Sequence, residues 1–275
     1  MRADLHIHTI YSDGANTPEE IARRAQAAGV ELISMTDHDS LGGLEEKRAA
    51  AEKCGLKFVS GWEVSSYEGD KVHVLGYRCT ACEEYYAFLE KRKTGAVLRA
   101  QDIIEKANAY LGLNVSMEEV EREHLKKDAP LHTMHVVNAF AKRLSKKPMQ
   151  CYEALFDKGK PAYSELWRPT PEEAIKVIHA CGGLAVLAHP GRIRLENGVR
   201  MELINGLVER GLDGIECYHS SHTEKETEYL KAYAAAHGLL VTGGSDFHKD
   251  GGNRILGLPE FHASEDLLFA LGIPL

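Results

Sequence analysis

Nine side chains with N or O donors stand at or beside the ends of short apolar runs: His6, His8, Asp13, His38, Glu63, His73, His189, Asp246 and His248. Six are imidazoles and three are carboxylates, a donor set free of thiolate that suits Mn, Fe or Zn without choosing among them. In Asp4-Leu5-His6-Ile7-His8-Thr9, a strand would turn Leu5 and Ile7 to one face and Asp4, His6 and His8 to the other. Two imidazoles so placed can reach one cation. Ser12-Asp13-Gly14 then makes a turn that can fold Asp13 back over the strand end. His38 follows the apolar run Leu32-Ile33 with Asp37 and Asp39 on either side, as ring-orienting or helix-capping groups. Glu63, after Ser60-Gly61-Trp62, is read at the end of a third strand, where a carboxylate can bridge two cations. His73 lies between two valines, His189 follows Leu184–Ala188, and Asp246-Phe247-His248 closes the last run.

Each motif alone has a plain structural reading. A His-x-His pair can be two satisfied histidines, Asp-Gly a simple turn, and a histidine between valines a core residue. The argument rests on all nine together, because a barrel brings its strand ends to one place.

The elements that must position these groups are legible in the periodicity. Apolar runs at Ala3–His8, Glu31–Thr36, Lys57–Gly61, Lys71–Tyr77, Leu184–Ala188, Asp213–Cys217 and Leu239–Thr242 alternate with amphipathic helical patterns, the signature of parallel β/α units. Thr17-Pro18-Glu19-Glu20 and Thr170-Pro171-Glu172-Glu173 each offer an N-cap, a proline at the first helical position and a capping-box glutamate. Seven runs predict an α/β barrel slightly short of eight strands. From about residue 81 to 163 the pattern is helical, with predicted helices over Glu83–Leu111, Met117–His124, Met134–Leu144 and Met149–Asp157. Residues 1–80 and 164–275 therefore form the expected barrel, and 81–163 a helical insertion expected to cover its mouth.

With 275 residues and 44% hydrophobic content the chain can bury a full core, and its net charge of −8 argues against nucleic-acid binding through a basic surface. Six scattered cysteines with one C-x-x-C, and no apolar leader or membrane-length run, predict free thiols and a cytoplasmic, membrane-free location.

In this order, DLHIHT, SDG, TDHDS, GWE, VHVLGY, AHPGR and GSDFH resemble the motif series of the PHP (polymerase and histidinol phosphatase) family, over roughly residues 3–77 and 165–260. The subgroup most resembled is that of small stand-alone phosphoesterases, which includes nucleoside 3′,5′-bisphosphate phosphatases and cyclic phosphate dihydrolases. The resemblance implies a distorted seven-stranded, TIM-like β/α barrel with two or three divalent metal ions. It implies one metal on His6, His8, Glu63 and Asp246, a second on Glu63, His73 and His189, and a third on Asp13, His38 and His248. It also implies hydrolysis of a small phosphomonoester or cyclic phosphodiester of a nucleotide or sugar phosphate. Hydroxide formed at the cations would be the nucleophile, with Ser12 and Ser245 left to turn or capping roles. Nucleotide-bisphosphatase relatives tend to carry Thr-Arg-x-His-Phe in the inserted region; here the chain reads Leu131-His132-Thr133-Met134-His135-Val136, without the arginine.

Candidate substrate contacts are Arg192 and Arg194, which follow His189, and Lys160 and Arg168, where the insertion rejoins the barrel. His219 and His222 are candidates for protonating a leaving group. The expected partner is a small phosphorylated molecule, a nucleotide or short oligonucleotide among the options, with no stable nucleic-acid complex. The competing readings are a histidinol-phosphate phosphatase, a 5′-3′ exonuclease on short RNA or DNA, and a metal-binding module without turnover.

Overall fold

The structure, a computed structural model, describes residues 1–124, 131–195 and 198–274, with the side chains of 194, 195 and 198 outside that set. The chain divides into two compact units, one of Met1–Tyr86 with Pro169–Leu275 and one of Ala87–Arg168.

In the first unit, β1 (Ala3–Ile7), β2 (Leu32–Met35) and β3 (Lys57–Phe58) form a parallel three-stranded sheet. Helix α1 (Pro18–Ala27) links β1 to β2, and α2 (Leu44–Lys53) links β2 to β3. Every residue of β1 and β2 is buried, as expected of strands covered on both faces. Leu5 and Leu32 pack with Leu75, Val186 and the C-terminal Leu267 and Leu268, whereas Ile7, Ile33 and Met35 pack beneath Ile21, Ala22 and Ala25 of α1.

The second sheet has the order β10 (Leu240–Gly243), β9 (Gly214–Tyr218), β6 (Leu184–Leu187), β5 (Lys71–Tyr77), β4 (Gly61–Tyr67). It corrects the expectation of seven parallel strands. Strand β5 runs antiparallel to both β4 and β6. The reason is local: only Glu68-Gly69-Asp70 separates β4 from β5, and a parallel pair needs a crossover of a dozen residues or more. The periodicity also missed β4 itself, so Glu63 lies inside a strand rather than at the end of one. The strands form sheets of three and five, not one seven-stranded ladder. Isolated bridges link Ile7 of β1 to Phe247, which follows β10, and His38, which follows β2, to Glu63 of β4.

The capping boxes at Thr17 and Thr170 form as expected, each threonine accepting from the backbone of the glutamate three residues on. A short antiparallel pair, β7 (Arg194–Leu195) with β8 (Gly198–Val199), and helices α8 (Met201–Glu209) and α9 (Glu224–Ala236) complete the path from β6 to β10.

The second unit is helical. Helix α3 (Glu83–Leu111) enters it, followed by α4 (Met117–Glu123), α5 (Thr133–Leu144), α6 (Pro148–Cys151) and a π-helical turn at Tyr152–Phe156. Its own core gathers Ile103, Ala107, Val136, Val137, Phe140 and Phe156. A last helix, α10 (Glu265–Ala270), belongs to the first unit. No described helix is long and apolar enough to cross a membrane.

Candidate metal centre

Six histidines and three acids expected from sequence gather at one end of the two sheets. Strand β1 delivers His6 and His8, and the antiparallel β4–β5 ladder delivers Glu63 and His73. Ser65 lies opposite His73 there, so Glu63 is its diagonal neighbour on the same face. Glu63 is fully buried and takes histidines on both oxygens. Its Oε2 lies 3.2 Å from His6 Nε2, 3.2 Å from His8 Nε2 and 3.1 Å from His38 Nδ1. Its Oε1 lies 2.8 Å from His73 Nδ1 and 3.0 Å from His189 Nε2. Asp246 Oδ1 stands 3.5 Å from His6 Nε2 and 3.2 Å from His8 Nε2. His248 Nε2 is 3.3 Å from Asp13 Oδ2.

His73 Nδ1 and His189 Nε2 hydrogen-bond to Glu63 Oε1, whereas the contacts at Glu63 Oε2 lack hydrogen-bond geometry. His6 Nε2, His8 Nε2, His38 Nδ1 and Glu63 Oε2 are buried and none has a hydrogen-bond partner. Buried polar atoms are ordinarily satisfied, because leaving one bare costs roughly 1–3 kcal/mol. Four unpartnered donor atoms converging on one another fit a cation between them. Among the described residues, three groups have donor atoms within 4.8 Å of one another: His6, His8, Glu63 and Asp246; His38, Glu63 and His73; and His8, Asp13, His38 and His248. Glu63 is common to the first two. The grouping differs from the one implied by resemblance. His38 joins Glu63 and His73, His8 joins the Asp13 group, and His189 stands beside the second group through its bond to Glu63.

Charge in the cluster is set by burial against proximity. Burial opposes the charged form of His6 and His8, but Glu216, Glu63 and Asp246 around His6 lift it well above the usual range, and Asp246 and Glu63 lift His8 to about 10. For His38 and His189 burial prevails over the attraction of Glu63 and pushes each down to about 4. Glu63 and Asp246 resist burial because histidines surround them, and both stay well below the normal carboxylate range.

Backbone strain also marks the site. His189, Asp246 and Asp39 have φ of 31°, 51° and 53°, in the left-handed region that L residues with side chains avoid. Two glycines keep the histidine strand accessible to its neighbours. A Cβ on Gly244 would lie 2.4 Å from His6 Cβ, and one on Gly14 would lie 2.5 Å from His8 C and O.

Several supporting groups escaped the sequence reading. Glu216, fully buried in β9, accepts from His6 Nδ1 at 2.9 Å and from the His189 backbone N–H at 2.7 Å. With Nδ1 committed to that bond, Nε2 is the His6 nitrogen left to face a cation once its proton is displaced, the arrangement of a carboxylate-oriented metal histidine. The available signal was a lone acid inside the apolar run Gly214-Ile215-Glu216-Cys217. Arg254 donates to Asp246 at Oδ2 (2.8 Å) and at the backbone O (2.9 Å). Asp4 accepts from Ser245 N and Gly257 N, tying β1 to the loop after β10.

Asp37 and Asp39, read as ring-orienting groups for His38 or as caps, serve the loops around it. Asp37 accepts from Thr9 N, Thr9 Oγ1, Ser12 Oγ and the buried Lys47 Nζ at 2.6 Å; Asp39 accepts from Ser65 N and Oγ. Ser12 and Ser245 are engaged in such turn contacts.

Among the expected substrate contacts, Arg192 is half-exposed with Nη1 3.4 Å from Asp246 Oδ2. The Arg194 side chain is outside the described residues. Lys160 and Arg168 belong to the second unit, where Arg168 donates to Ser164 O at 3.1 Å. His219 is buried, with Nε2 3.3 Å from Asp246 Oδ2. The Ser221 backbone N–H donates to its Nδ1, which puts the proton of the neutral ring on Nε2. His222 is committed at both nitrogens, donating from Nδ1 to Cys217 O and accepting at Nε2 from Gly191 N. It has no free position for proton transfer in this arrangement.

A family model described as the PHP domain matches residues 4–241. The chain is 34% identical to the 3′,5′-nucleoside bisphosphate phosphatase of Chromobacterium violaceum, over 94% of this chain and 91% of that one. It is 32% identical to the phosphoribosyl 1,2-cyclic phosphate 1,2-diphosphodiesterase of Eggerthella lenta, over 90% and 94%. A solved structure from Bifidobacterium adolescentis, described as a metal-dependent phosphoesterase, superposes with a TM-score of 0.80 at 24% identity, covering 98% of this chain and 96% of that one.

Proposed function

The chain belongs to the PHP-domain family, and from that premise we propose that it hydrolyses a small phosphate ester with divalent cations held by His6, His8, Asp13, His38, Glu63, His73, His189, Asp246 and His248. The observation that carries this reading is the convergence of four buried, unpartnered donor atoms on Glu63 and its histidines. Cations there supply Lewis-acid polarisation of the phosphoryl oxygens and an acidified water as nucleophile. Mn, Fe and Zn all suit the donor set, in two or three sites.

The chain's own residues divide the remaining tasks. Glu216 orients His6 and pins the strained His189 backbone. Arg254 and Arg192 both reach Asp246 Oδ2, and their guanidinium groups offset its charge and present donors to an incoming phosphoryl group. His219 carries its Nε2–H on the side of Asp246, where it can donate a hydrogen bond to the oxygen of a departing alkoxide.

For the substrate we propose a phosphorylated ribose or nucleotide, as a monoester or cyclic diester. The two curated relatives are named for a nucleoside bisphosphate and a phosphoribosyl cyclic phosphate, and what those substrates share is a ribose carrying the ester. The missing arginine in Leu131–Val136 favours a substrate without a second phosphate to be held there. Six free cysteines fit a reducing compartment, the cytoplasm, as its location.

The test is phosphate or ring-opened product release by the Mn-loaded protein, with and without chelator. The panel holds adenosine 3′,5′-bisphosphate, 5′-phosphorylated short RNA, a ribose 1,2-cyclic phosphate and histidinol phosphate. Chelator-sensitive turnover of a ribose ester is expected. Turnover of histidinol phosphate alone would replace the substrate class, and metal bound without any turnover would remove the enzymatic reading.

A further inference from the structure

Three of the six thiols lie together away from the metal centre, at the opposite end of the β5–β6 ladder. Cys79 and Cys82 follow β5, and Cys181 caps α7 (Pro171–Ala180) just before β6. Cys82 Sγ stands 3.1 Å from Cys181 Sγ, about 1 Å beyond the ~2.05 Å of a disulfide bond. The backbone holds the two together: Thr80 N–H donates to Cys181 O at 3.0 Å, and Tyr77 pairs with Leu184 in the adjoining ladder. Cys181 and Cys79 are buried and Cys82 is partly exposed, so Cys82 is the thiol a reagent meets first. Burial pushes the Cys79 thiol up to about 12 and raises that of Cys181 further from its ordinary range, with the bond to Cys82 adding to the second shift.

We propose that Cys82 and Cys181 are a reversible redox pair that closes to a disulfide on meeting a low-molecular-weight disulfide and reopens with a thiol reductant. In the first step the Cys82 thiolate attacks one sulfur of R–S–S–R. A Cys82–S–S–R bond forms, the reagent's S–S bond breaks, and RS⁻ leaves to take up the proton that Cys82 gave up. In the second step Cys181 Sγ attacks Cys82 Sγ as its thiol proton passes to the departing sulfur, the Cys82–Cys181 bond forms, the Cys82–S–R bond breaks, and RSH leaves. Two electrons pass from the pair to the reagent, and two thiol protons end on two RSH molecules. In a reducing compartment such a bond is transient, which is the behaviour of a redox sensor rather than of a structural staple.

The bond would close a loop of 99 residues containing Ala87–Arg168, the whole second unit. Both passages of chain that join that unit to the first, at Tyr86 and Pro169, would lie within the closed loop. Oxidation therefore restricts the unfolded chain and is expected to raise Tm by roughly 5–15 °C. Metal content stays unchanged, because His73 and His189 sit at the other end of β5 and β6, where Ala188 N–H donates to His73 O.

The experiment equilibrates the full metal-loaded protein with oxidised glutathione, quenches with acid, alkylates free thiols and reads intact mass and linked peptides. The wild type should lose two alkylatable thiols, retain no glutathione and yield a Cys82–Cys181 peptide, with all six thiols recovered in dithiothreitol. Cys181→Ser should hold one glutathione on Cys82, and Cys82→Ser should remain fully alkylatable except at its replaced position. Six free thiols in the treated wild type, or a Cys79–Cys82 link in place of Cys82–Cys181, would overturn the proposal.

Discussion

Lys47→Met probes the buried charge pair that anchors the loop of the metal centre. Lys47 Nζ lies 2.6 Å from Asp37 Oδ2 with both side chains at most 1% exposed, and Asp37 in turn holds Thr9 N, Thr9 Oγ1 and Ser12 Oγ. Those bonds shape the turn from His8 to Asp13. Removing one partner of a buried pair costs roughly 3–5 kcal/mol, because the other charge is left uncompensated. Three donors to Asp37 remain, which places the expected loss near the lower end, about 3 kcal/mol. For a chain of this size that is a fall in Tm of roughly 6–12 °C. Urea unfolding of chelator-treated protein is the assay, since bound cation would add stability by mass action and hide the effect. Asn at position 37 can keep Oδ1 towards Thr9 and Ser12 and donate from Nδ2 to Thr9 Oγ1. The double variant Asp37→Asn with Lys47→Met is therefore expected to recover more than half of the loss. The pH dependence has a definite sign. Burial raises and Lys47 lowers the Asp37 carboxyl, and the net shift is downward, so its contribution is present above the ordinary Asp range and lost as pH falls through the folded value. The gap between wild type and Lys47→Met should narrow in acid. A single variant within about 0.5 kcal/mol of wild type, or a double variant no better than the single, would refute the argument.

The remaining predictions concern the centre itself. His38→Ala and Glu63→Ala should each remove cation and turnover together, read by elemental analysis and the phosphate-release assay. Glu216→Gln should weaken cation affinity by about 10–100-fold through disorientation of His6, measured by titration calorimetry with Mn alone. Loading the apoprotein with cation should release protons near neutral pH, because Glu216, Glu63 and Asp246 hold His6, and Asp246 and Glu63 hold His8, in the protonated form; affinity then rises with pH, and calorimetry in buffers of different ionisation enthalpy counts the protons. Gly244→Ala should displace His6 or unfold the strand pair, since its Cβ would lie 2.4 Å from His6 Cβ, and a wild-type melting temperature with full metal content would contradict that.

Donor chemistry was readable from the chain alone because a metal ligand must be one of a few residue types and because strands repeat with period two. His6 and His8 share a face of β1 for that reason, and the helix starts at Thr17 and Thr170 follow from capping chemistry that is local in sequence. The direction of β5 was not readable from apolar runs, since a strand has the same pattern whichever way its partner runs; only the shortness of Glu68-Gly69-Asp70 constrained it. Tertiary structure also decided which histidine joins which group of donor atoms. His38 meets Glu63 because an isolated bridge pairs the segment after β2 with β4, and His189 turns towards Glu63 through a left-handed backbone pinned by Glu216, 27 residues away. Residue type and spacing specify what a side chain can bind. Which lone pairs point at a common centre depends on non-local pairing and backbone strain, and these exist only once the sheets have formed.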